Sequence, residues 1–317
     1  MLENLRIVSN QKNIFLISSH PPIDSELIDV WLSDGHNVNM ITNKYKWNDQ
    51  FATLDKRVFA GIPKHKPDLI ICESNPDLRL ALIIKFRKMW FNLDIIKYNL
   101  WYPDRSIFLR LSRNVSVCEY AKKVLSARDN IDSKVVFCPV DTEFFTRLNV
   151  RKRKKAIVIG NNFKGRGNMG FDHLIAILKE VHEMDREIEL SVIGDNNKED
   201  YPEFVEVKSL SKEEIKIEIN NSRCVFFTTT YNLIMNSMQI AMSCEAPVVA
   251  FDLEPFREVI EDGKSGFLVP KFDDDYFVKR IVNLCNNDNL GTIGKFARQS
   301  IVEKCDKWKV ARSLLEI

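Results

Sequence analysis

Short runs of β-branched and aromatic residues alternate with longer segments of helical periodicity along the whole chain. In the segment after residue 170, for example, apolar residues recur at intervals of three and four: Phe171, Leu174, Ile175, Leu178 and Val181. The apolar runs predict strands at residues 13–17, 38–42, 68–72, 95–98, 115–117, 135–137, 156–159, 188–193, 224–228 and 247–251. Repeated strand-helix units of this kind build parallel sheets. The pattern therefore predicts an α/β protein with two doubly wound, Rossmann-like halves.

A run of cations, Arg-Lys-Arg-Lys-Lys at residues 151–155, precedes the first strand of the second half. Like charges repel one another and stay solvated, so the run indicates an exposed linker between domains. We expect domains at residues 1–150 and 151–317. A contact with nucleic acid or lipid is the alternative use of such a run.

The overall charge narrows the function classes. The 317 residues include 46 Lys and Arg and 44 Asp and Glu, a formal net charge of +2. A dedicated nucleic-acid binder carries a larger excess of cations. Hydrophobic residues make up 45% and charged residues 28%, which is typical of globular proteins and argues against disorder.

The cysteines and the apolar runs bear on the compartment. Seven cysteines are scattered without a C-x-x-C pair, which favours buried free thiols in a reducing compartment over metal ligands or disulfides. The start of the sequence has no apolar segment typical of a signal peptide, and no apolar run approaches the roughly 20 residues that span a bilayer. We expect a cytoplasmic protein. Peripheral contact with the inner face of the membrane is compatible with this expectation.

Two loops of the second half follow predicted strands, where open parallel sheets bind their ligands. The first, GNNFKGRGNMG at residues 160–170, offers glycines from Gly160 onward, the cations Lys164 and Arg166, and the start of a helix. These features suit a phosphate or diphosphate, and a flexible surface loop is the alternative. The second, TTYNLIMNS from Thr229 to Ser237, ends where Asn236 or Ser237 can cap a helix. Its amides would suit an anion, and a merely structural cap is the alternative.

Several segments together resemble one enzyme family. Residues 241–250, AMSCEAPVVA, followed by residues 258–269, EVIEDGKSGFLV, are similar to the donor-domain signature of the retaining, family-4 (group 1) glycosyltransferases of GT-B fold. In matching order, GHNV at residues 35–38 resembles the end of the family's first helix, and VDTEFF at residues 140–145 resembles its V-D-x-x-x-F motif. WKVA at residues 308–311 resembles the W-x-x-V-A motif, whose helix, at about residues 296–317 here, crosses back to the first domain.

The resemblance implies a metal-independent enzyme without a cofactor. It would move a sugar, with retention of configuration, from a nucleotide donor in the second domain to an acceptor in the first. UDP- or GDP-sugars are the expected donors, and a glycan, a lipid-linked glycan or another hydroxyl compound is the expected acceptor. Lys164 and Arg166 would face the leaving diphosphate.

The chain departs from the family at the paired glutamates of the E-x7-E motif, whose positions here hold Asn232 and Ile240. We expect Asn232 to bind a sugar hydroxyl and Gln239 to take over the ribose contact. Asn161 stands where relatives have an arginine. The loss of both glutamates also supports a second hypothesis, a catalytically silent homologue that serves as a binding or partner subunit.

On the acceptor side, many relatives have a histidine in the loop that here reads NLWYPD, residues 99–104. Tyr102 and Asp104 are the candidates there for acceptor contact or proton transfer, although Asp104 also suits a turn or helix cap. His20, in the loop after the first strand, is a further acceptor-side candidate. Asp273, Asp274 and Asp275 precede a helical segment and indicate a cap rather than a metal site.

The nature of the acceptor stays open between two further hypotheses. Residues 79–91, RLALIIKFRKMWF, mix cations and aromatic residues as an interfacial helix does, which would suit a lipid-linked acceptor. A helix packed on its sheet is the alternative. A DNA base, as in phage DNA-base glucosyltransferases of the same architecture, is the other hypothesis, with the cations of residues 151–155 on the nucleic acid.

Overall fold

The computed structural model describes residues 11–18, 20–42, 58–100, 107–160, 163–165, 169–195, 197–231, 236–287 and 291–317. The chain divides into two compact units. Unit 1 comprises Met1–Pro139 and Lys307–Ile317, and unit 2 comprises Val140–Asp306.

Unit 1 is built on a sheet whose described strands are β1 (Asn13–Ser18), β2 (Asn37–Thr42), β3 (Phe59–Ala60), β4 (Leu69–Cys72), β5 (Asp94–Asn99), β6 (Arg113–Ser116) and β7 (Lys134–Val135). The helices of this part are α1 (Pro21–Ser33), α2 (Asn75–Arg87) and α3 (Glu119–Asp129), with a 3-10 helix at Ile107–Leu111. The central strands are buried on both faces, which explains their continuous apolar runs.

Unit 2 repeats this plan. Its described strands are β8 (Lys155–Ile159), β9 (Glu189–Ile193), β10 (Val205–Lys208), β11 (Cys224–Phe227), β12 (Val248–Phe251) and β13 (Phe267–Val269). Its helices are α4 (Phe171–Met184), α5 (Lys212–Asn221), α6 (Asn236–Ser243), α7 (Glu254–Arg257), α8 (Asp274–Cys285) and α9 (Gly291–Lys304). Helix α10 (Lys307–Leu315) follows and belongs to unit 1.

Both sheets are parallel and doubly wound. The strand orders are β3-β2-β1-β4-β5-β6-β7 and β10-β9-β8-β11-β12-β13. In each unit the first strand lies inside the sheet, and the chain order reverses beside it, between β1 and β4 and between β8 and β11. The predicted α/β class with two Rossmann-like sheets is confirmed. The strands that the sequence pattern did not predict include β3 and β10, which are short and lie at sheet edges, where one partner strand and partial burial weaken the apolar signal.

The basic run at residues 151–155 is not the solvated linker that its charge indicates. Lys155 is fully buried in β8, with its Nζ 2.8 Å from Glu218 Oε2. Arg153 lies 2.5 Å from Glu189. The division between the units falls at Pro139, because the segment after it is held inside unit 2: Arg298 donates to the carbonyls of Thr142 and Phe145 at 2.8 and 2.9 Å.

Helix α10 is fixed to α1 within unit 1. The indole Nε1 of Trp31 donates to the carbonyl of Ala311 at 3.0 Å, and Trp31 is fully buried. Lys307 lies 2.5 Å from Asp29, and Arg312 lies 2.8 Å from Asp34. The sequence places the returning segment at about residues 296–317, whereas α9 remains in unit 2 and residues 307–317 alone join unit 1.

The structure also bears on the cap of α8, the cysteines and the search for a membrane-spanning helix. Asp273 caps α8 by accepting from the backbone N of Tyr276, which confirms the capping prediction. All seven cysteines are buried and none forms a disulfide. In the described part of the chain, no helix combines the length and apolarity needed to cross a bilayer.

Candidate functional site

The loops after β8 and β11 meet at the carboxyl edge of the unit 2 sheet, where the strand order reverses. The hydroxyl of Thr228 donates to the carbonyl of Met169 at 3.2 Å, and the hydroxyl of Ser237 donates to the carbonyl of Ile159 at 3.3 Å. Open α/β sheets bind ligands at this position. We call it the unit 2 edge; its described members are Gly160, residues 163–165, Met169, Gly170, Thr228–Thr230 and Ser237.

Gly170 sets how closely the two loops approach. It precedes α4 with a φ of 68°, in the left-handed region, and a Cβ built there would lie 1.9 Å from the carbonyl oxygen of Thr228. No side chain other than hydrogen fits that space. Glycine supplies no capping side chain to the first turn of α4. The positive end of a 14-residue helix at a sheet edge suits an anion.

The base of the loop after β8 is anchored on the neighbouring strand β9. Gly160 donates its backbone N–H to Ile193 at 2.9 Å. Gly194 has a φ of 96°, and a Cβ there would lie 2.5 Å from the carbonyl oxygen of Gly160. The Phe163 ring is buried, and its backbone N donates to Asp195, which also accepts from the Tyr201 hydroxyl. These contacts fix the described parts of this loop, in contrast to the alternative of a flexible surface loop.

Of the two predicted cations of this loop, Lys164 lies within the described residues. Its side chain is 64% exposed, and its Nζ lies 2.5 Å from Asp200 Oδ1. The hydrogen bond from Lys164 lowers the pKa of the Asp200 carboxyl. An exposed ion pair is weak, so the lysine can exchange Asp200 for another anion at small cost in free energy.

Besides Gly160 and Lys164, three predicted donor-side residues lie in the described part of the chain. Thr229 is buried, and its hydroxyl accepts from the backbone N of Tyr231 at 3.5 Å, which shapes the loop after β11. Ser237 lies inside the first turn of α6 rather than before it, and its hydroxyl links that helix to β8. Gln239, offered by the sequence as a ribose partner, is fully buried instead, and its amide Nε2 lies 3.4 Å from Cys305 Sγ. Its position in α6 turns it into the core.

His20 lies at the corresponding position in unit 1, at the carboxyl end of β1 beside the reversal of strand order. It is half-buried and precedes α1. Its backbone N donates to Asp24 Oδ2 at 3.1 Å, and the same oxygen accepts from Ser18 at 2.5 Å. Asp24 therefore holds the backbone that carries His20.

A buried group of charged residues surrounds Asp24. Glu73, at the end of β4, is also buried, and Lys97 from β5 donates to its backbone carbonyl. Asp77 caps α2 together with Ser74. Burial raises the pKa of Asp24 to about 6, against the smaller lowering effect of hydrogen bonds from Glu73 and Ser18. The nearby charge of Asp77 also raises the pKa of Asp24, because two negative charges in one site repel each other.

We expect Asp24→Asn to raise the stability of unit 1 above pH 6. The native pKa lies above the unfolded value of 3.8, so the stability contributed by protonated Asp24 is complete below that value and is lost as the pH rises through about 6. A neutral amide avoids the cost of a buried charge. Urea unfolding at pH 8 should show a gain of roughly 1 to 3 kcal/mol, and a smaller gain at pH 5.

Asp132→Asn, at a side chain that is 94% exposed, is the matched control and should leave the pH dependence unchanged. Parallel pH profiles for wild type and Asp24→Asn would show that Asp24 titrates normally.

The other predicted site residues, Tyr102, Asp104, Asn161, Arg166 and Asn232, lie outside the described residues. Their roles stay predictions. Asp24 and Glu73 were not predicted as part of any site. A signal was present, because Asp24 interrupts the apolar positions of α1, but an acidic residue in a first helical turn is usually a favourable exposed charge.

Comparison with known proteins shows a family likeness in unit 2 and the fold of the chain. Residues 153–287, all in unit 2, match the model of the group 1 glycosyl transferases. The fold of the whole chain is that of sucrose-phosphate synthase from Thermosynechococcus elongatus, with a TM-score of 0.75 and 14% identity over 96% of this chain and 98% of that one. The chain has the GT-B fold, and unit 2 is similar to the group 1 glycosyl transferases over residues 153–287. The likeness seen at residues 241–250 and 258–269 is thereby confirmed.

Two further comparisons concern this GT-B protein. Anabaena HepE, whose structure was solved in complex with UDP-glucose, aligns with a TM-score of 0.74 and 15% identity over 96% of this chain and 99% of that one. The poly(ribitol-phosphate) alpha-N-acetylglucosaminyltransferase of Staphylococcus aureus (strain COL) is 29% identical over 145 residues, 42% of this chain. That match spans 29% of the relative's length.

The described part of the GT-B chain contains no cluster of three His, Cys, Asp or Glu side chains placed to hold a metal ion. Lys164 and the first amides of α4 are the groups near this edge that suit an anion.

Proposed function

We propose that the chain is a glycosyltransferase that binds a nucleoside-diphosphate sugar at the unit 2 edge and transfers the sugar to a hydroxyl acceptor with retention of configuration. The observation that carries this proposal is Gly170, which brings the open N-terminus of α4 against the end of β11 inside a domain of the group 1 family. UDP- and GDP-sugars are the donors we propose.

The chemistry of transfer follows from where negative charge develops. As the bond to the sugar breaks, charge accumulates on the leaving diphosphate, and fixed donors that face it lower the barrier. The amides of α4 and α6 and the cations Lys164 and Arg166 would supply those donors. The buried Thr229 and the half-buried Ser237 would hold the loops rigid, so that little reorganisation is needed during the reaction.

Known relatives support the donor and acceptor classes. HepE was solved in complex with UDP-glucose, and the staphylococcal relative is a poly(ribitol-phosphate) alpha-N-acetylglucosaminyltransferase. We infer by analogy a nucleotide sugar as donor and a glycan, free or lipid-linked, as acceptor. Unit 1, with His20 at the carboxyl end of β1, would supply the acceptor contacts.

Calorimetric titration of the full chain with UDP, GDP and ADP tests the proposal. We expect saturable binding of UDP or GDP, with ADP weaker. The proposal fails if none of the three binds at millimolar concentration.

A catalytically silent homologue is the second candidate. It is favoured by Asn232 and Ile240, which stand where the family has its two glutamates. The silent homologue would bind the nucleotide but release no UDP or GDP from the corresponding nucleotide sugars when offered glycan acceptors. Release of nucleotide at a rate above spontaneous hydrolysis would exclude it.

Removing the two loop cations should weaken diphosphate binding. We expect Lys164→Ala with Arg166→Ala to raise the dissociation constant of the bound nucleotide at least about tenfold, equivalent to ~1.4 kcal/mol, because two charge-assisted contacts are lost. The control is Lys179→Ala with Arg186→Ala, which removes the same charge from exposed positions on and after α4. An unchanged dissociation constant in the first variant would take both cations out of the site.

A variant of the partner residue sharpens this result. Asp200→Asn removes the anion that competes for Lys164. If Lys164 binds the diphosphate, Asp200→Asn should tighten nucleotide binding, and the gain should vanish when Lys164→Ala is added.

A further inference from the structure

One face of unit 1 exposes apolar side chains beside cations. Phe86 and Met89 are each 73% exposed, Phe91 is 56% exposed and Ile83 is 51% exposed. Arg87 and Lys88 lie between them and are also exposed. We call these six residues the α2 surface. Large apolar side chains gathered at one place on a surface mark an interaction site more often than single ones do.

The α2 surface lies away from the face that packs on the unit 1 core. Leu78, Ala81 and Ile84 form the buried side of α2 and belong to the core cluster of this unit. The sequence left open whether α2 packs on its sheet. It does so, but only through this side of the helix. Ile83 and Phe86 lie on the other side, and the Phe86 ring makes an edge contact with Phe91 at a centroid distance of 6.1 Å.

Met89 follows the C-terminus of α2, at a position where helices usually have glycine. The backbone N of Trp90 donates to Lys85 and that of Met89 donates to Phe86, the bonds of a Schellman motif. Met89 has a φ of 56°, a conformation that disfavours side chains. The chain thus keeps a long, exposed apolar side chain at a position where glycine would be more stable.

The charge of the segment has one sign. Residues 78–93 contain Arg79, Lys85, Arg87 and Lys88 and no Asp or Glu. Lys85 donates to the carbonyl of Leu93 at 2.6 Å and so supports the turn, whereas Arg87 extends into solvent. The apolar side chains are therefore flanked by cations that no acidic residue of the segment neutralises.

We propose that the α2 surface docks unit 1 on an anionic lipid bilayer. A bilayer interface takes apolar side chains into the acyl boundary while anionic headgroups bind neighbouring cations. Both parts of the α2 surface are then used, whereas a nucleic acid would use only the cations and a second copy of the chain would oppose cation to cation. This proposal depends on the surface of unit 1 alone and not on the nucleotide site.

Vesicle co-sedimentation of the full chain tests the docking. We expect binding to vesicles of phosphatidylglycerol mixed with phosphatidylcholine, much weaker binding to pure phosphatidylcholine, and loss of binding as salt rises. Arg87→Glu with Lys88→Glu should lower the partition coefficient at least about tenfold, since each cation near an anionic surface contributes to binding. Phe86→Ser with Met89→Ser should lower it by a similar factor.

Matched controls exist in the same unit. Lys64→Glu with Lys66→Glu changes the charge equally at two exposed positions outside the α2 surface. Phe59→Ser with Ile62→Ser removes two other apolar side chains, 62% and 48% exposed. Both should bind vesicles as the wild type does. The proposal is overturned if the wild type does not bind anionic vesicles, if the controls lose as much as the variants, or if the α2 variants change only self-association or binding to duplex DNA.

Met89→Gly separates docking from folding. Glycine relieves the left-handed conformation, so thermal stability should stay equal or rise while vesicle binding falls. A structural role for Met89 would give the opposite, a loss of stability with vesicle binding unchanged. UDP titration of the same variants should match the wild type, which keeps failure of the docking proposal distinct from failure of the proposed function.

Discussion

Gly170→Ala is expected to abolish nucleotide binding and to lower the free energy of unfolding of unit 2 by about 2 to 4 kcal/mol. Two effects add at this position. The left-handed φ of 68° is strained for alanine, and the new Cβ would lie 1.9 Å from the carbonyl oxygen of Thr228, so that backbone must move. Relief of the clash separates the N-terminus of α4 from the end of β11, which takes the helix amides away from the diphosphate. Urea unfolding and UDP titration measure the two consequences.

Gly263→Ala is the control for strain without a clash. Gly263 has a φ of 73°, but nothing lies within 4 Å of a Cβ built there. Its replacement should cost about 1 kcal/mol and leave nucleotide binding intact. Equal effects of the two substitutions would mean that the close approach of Gly170 to Thr228 does not hold the site together.

The second large effect is expected at Trp31. Trp31→Ala should lower the free energy of unfolding of unit 1 by about 3 to 5 kcal/mol, because it empties a fully buried site and removes the hydrogen bond to Ala311. Helix α10 would lose its central contact with α1, so amide hydrogen exchange in residues 307–315 should accelerate more than exchange in β1.

Trp31→Phe separates the two contributions. It keeps an aromatic ring in the core but leaves the carbonyl of Ala311 without the indole donor, and it should cost about 1 to 2 kcal/mol beyond the loss of volume. If α10 exchanges at the wild-type rate in Trp31→Ala, its attachment depends on Lys307 and Arg312 and not on the tryptophan.

The interior strands and the likeness of unit 2 to the group 1 glycosyl transferases were accessible from the sequence. Continuous apolar runs such as residues 13–17 and 156–159 correspond to β1 and β8 within one residue, because these strands are buried on both faces. The motif blocks at residues 241–250 and 258–269 lie in unit 2, inside the segment that matches the family model.

What the sequence could not show depends on partners far apart in the chain. Lys155 reads as part of a solvated basic run, yet it is buried because Glu218, 63 residues later, neutralises it. Asp24 reads as a favourable charge in a first helical turn, yet Glu73 packs beside it. Gln239 stands one residue before Ile240, the second motif position, and was expected to replace it, but α6 places Gln239 in the core beside Cys305. Periodicity indicates which face of an element is apolar, and only the tertiary fold decides which polar groups are enclosed with it.

The unit 2 edge shows the same limit. The sequence indicates that both loops follow strands, and therefore that each lies at a carboxyl edge. It does not indicate that β8 and β11 are neighbours, because β9 and β10 intervene in the chain. That adjacency brings Thr228 to Met169 and turns two separate loops into one candidate site.

The most direct test is a crystal structure of the full chain with UDP or GDP. We expect electron density for the diphosphate at the N-terminus of α4, beside Gly170 and within hydrogen-bond distance of backbone amides from the loop after β8. Density for the diphosphate elsewhere on unit 2, or on unit 1, would contradict it, as would an unchanged unit 2 edge in crystals saturated with either nucleotide.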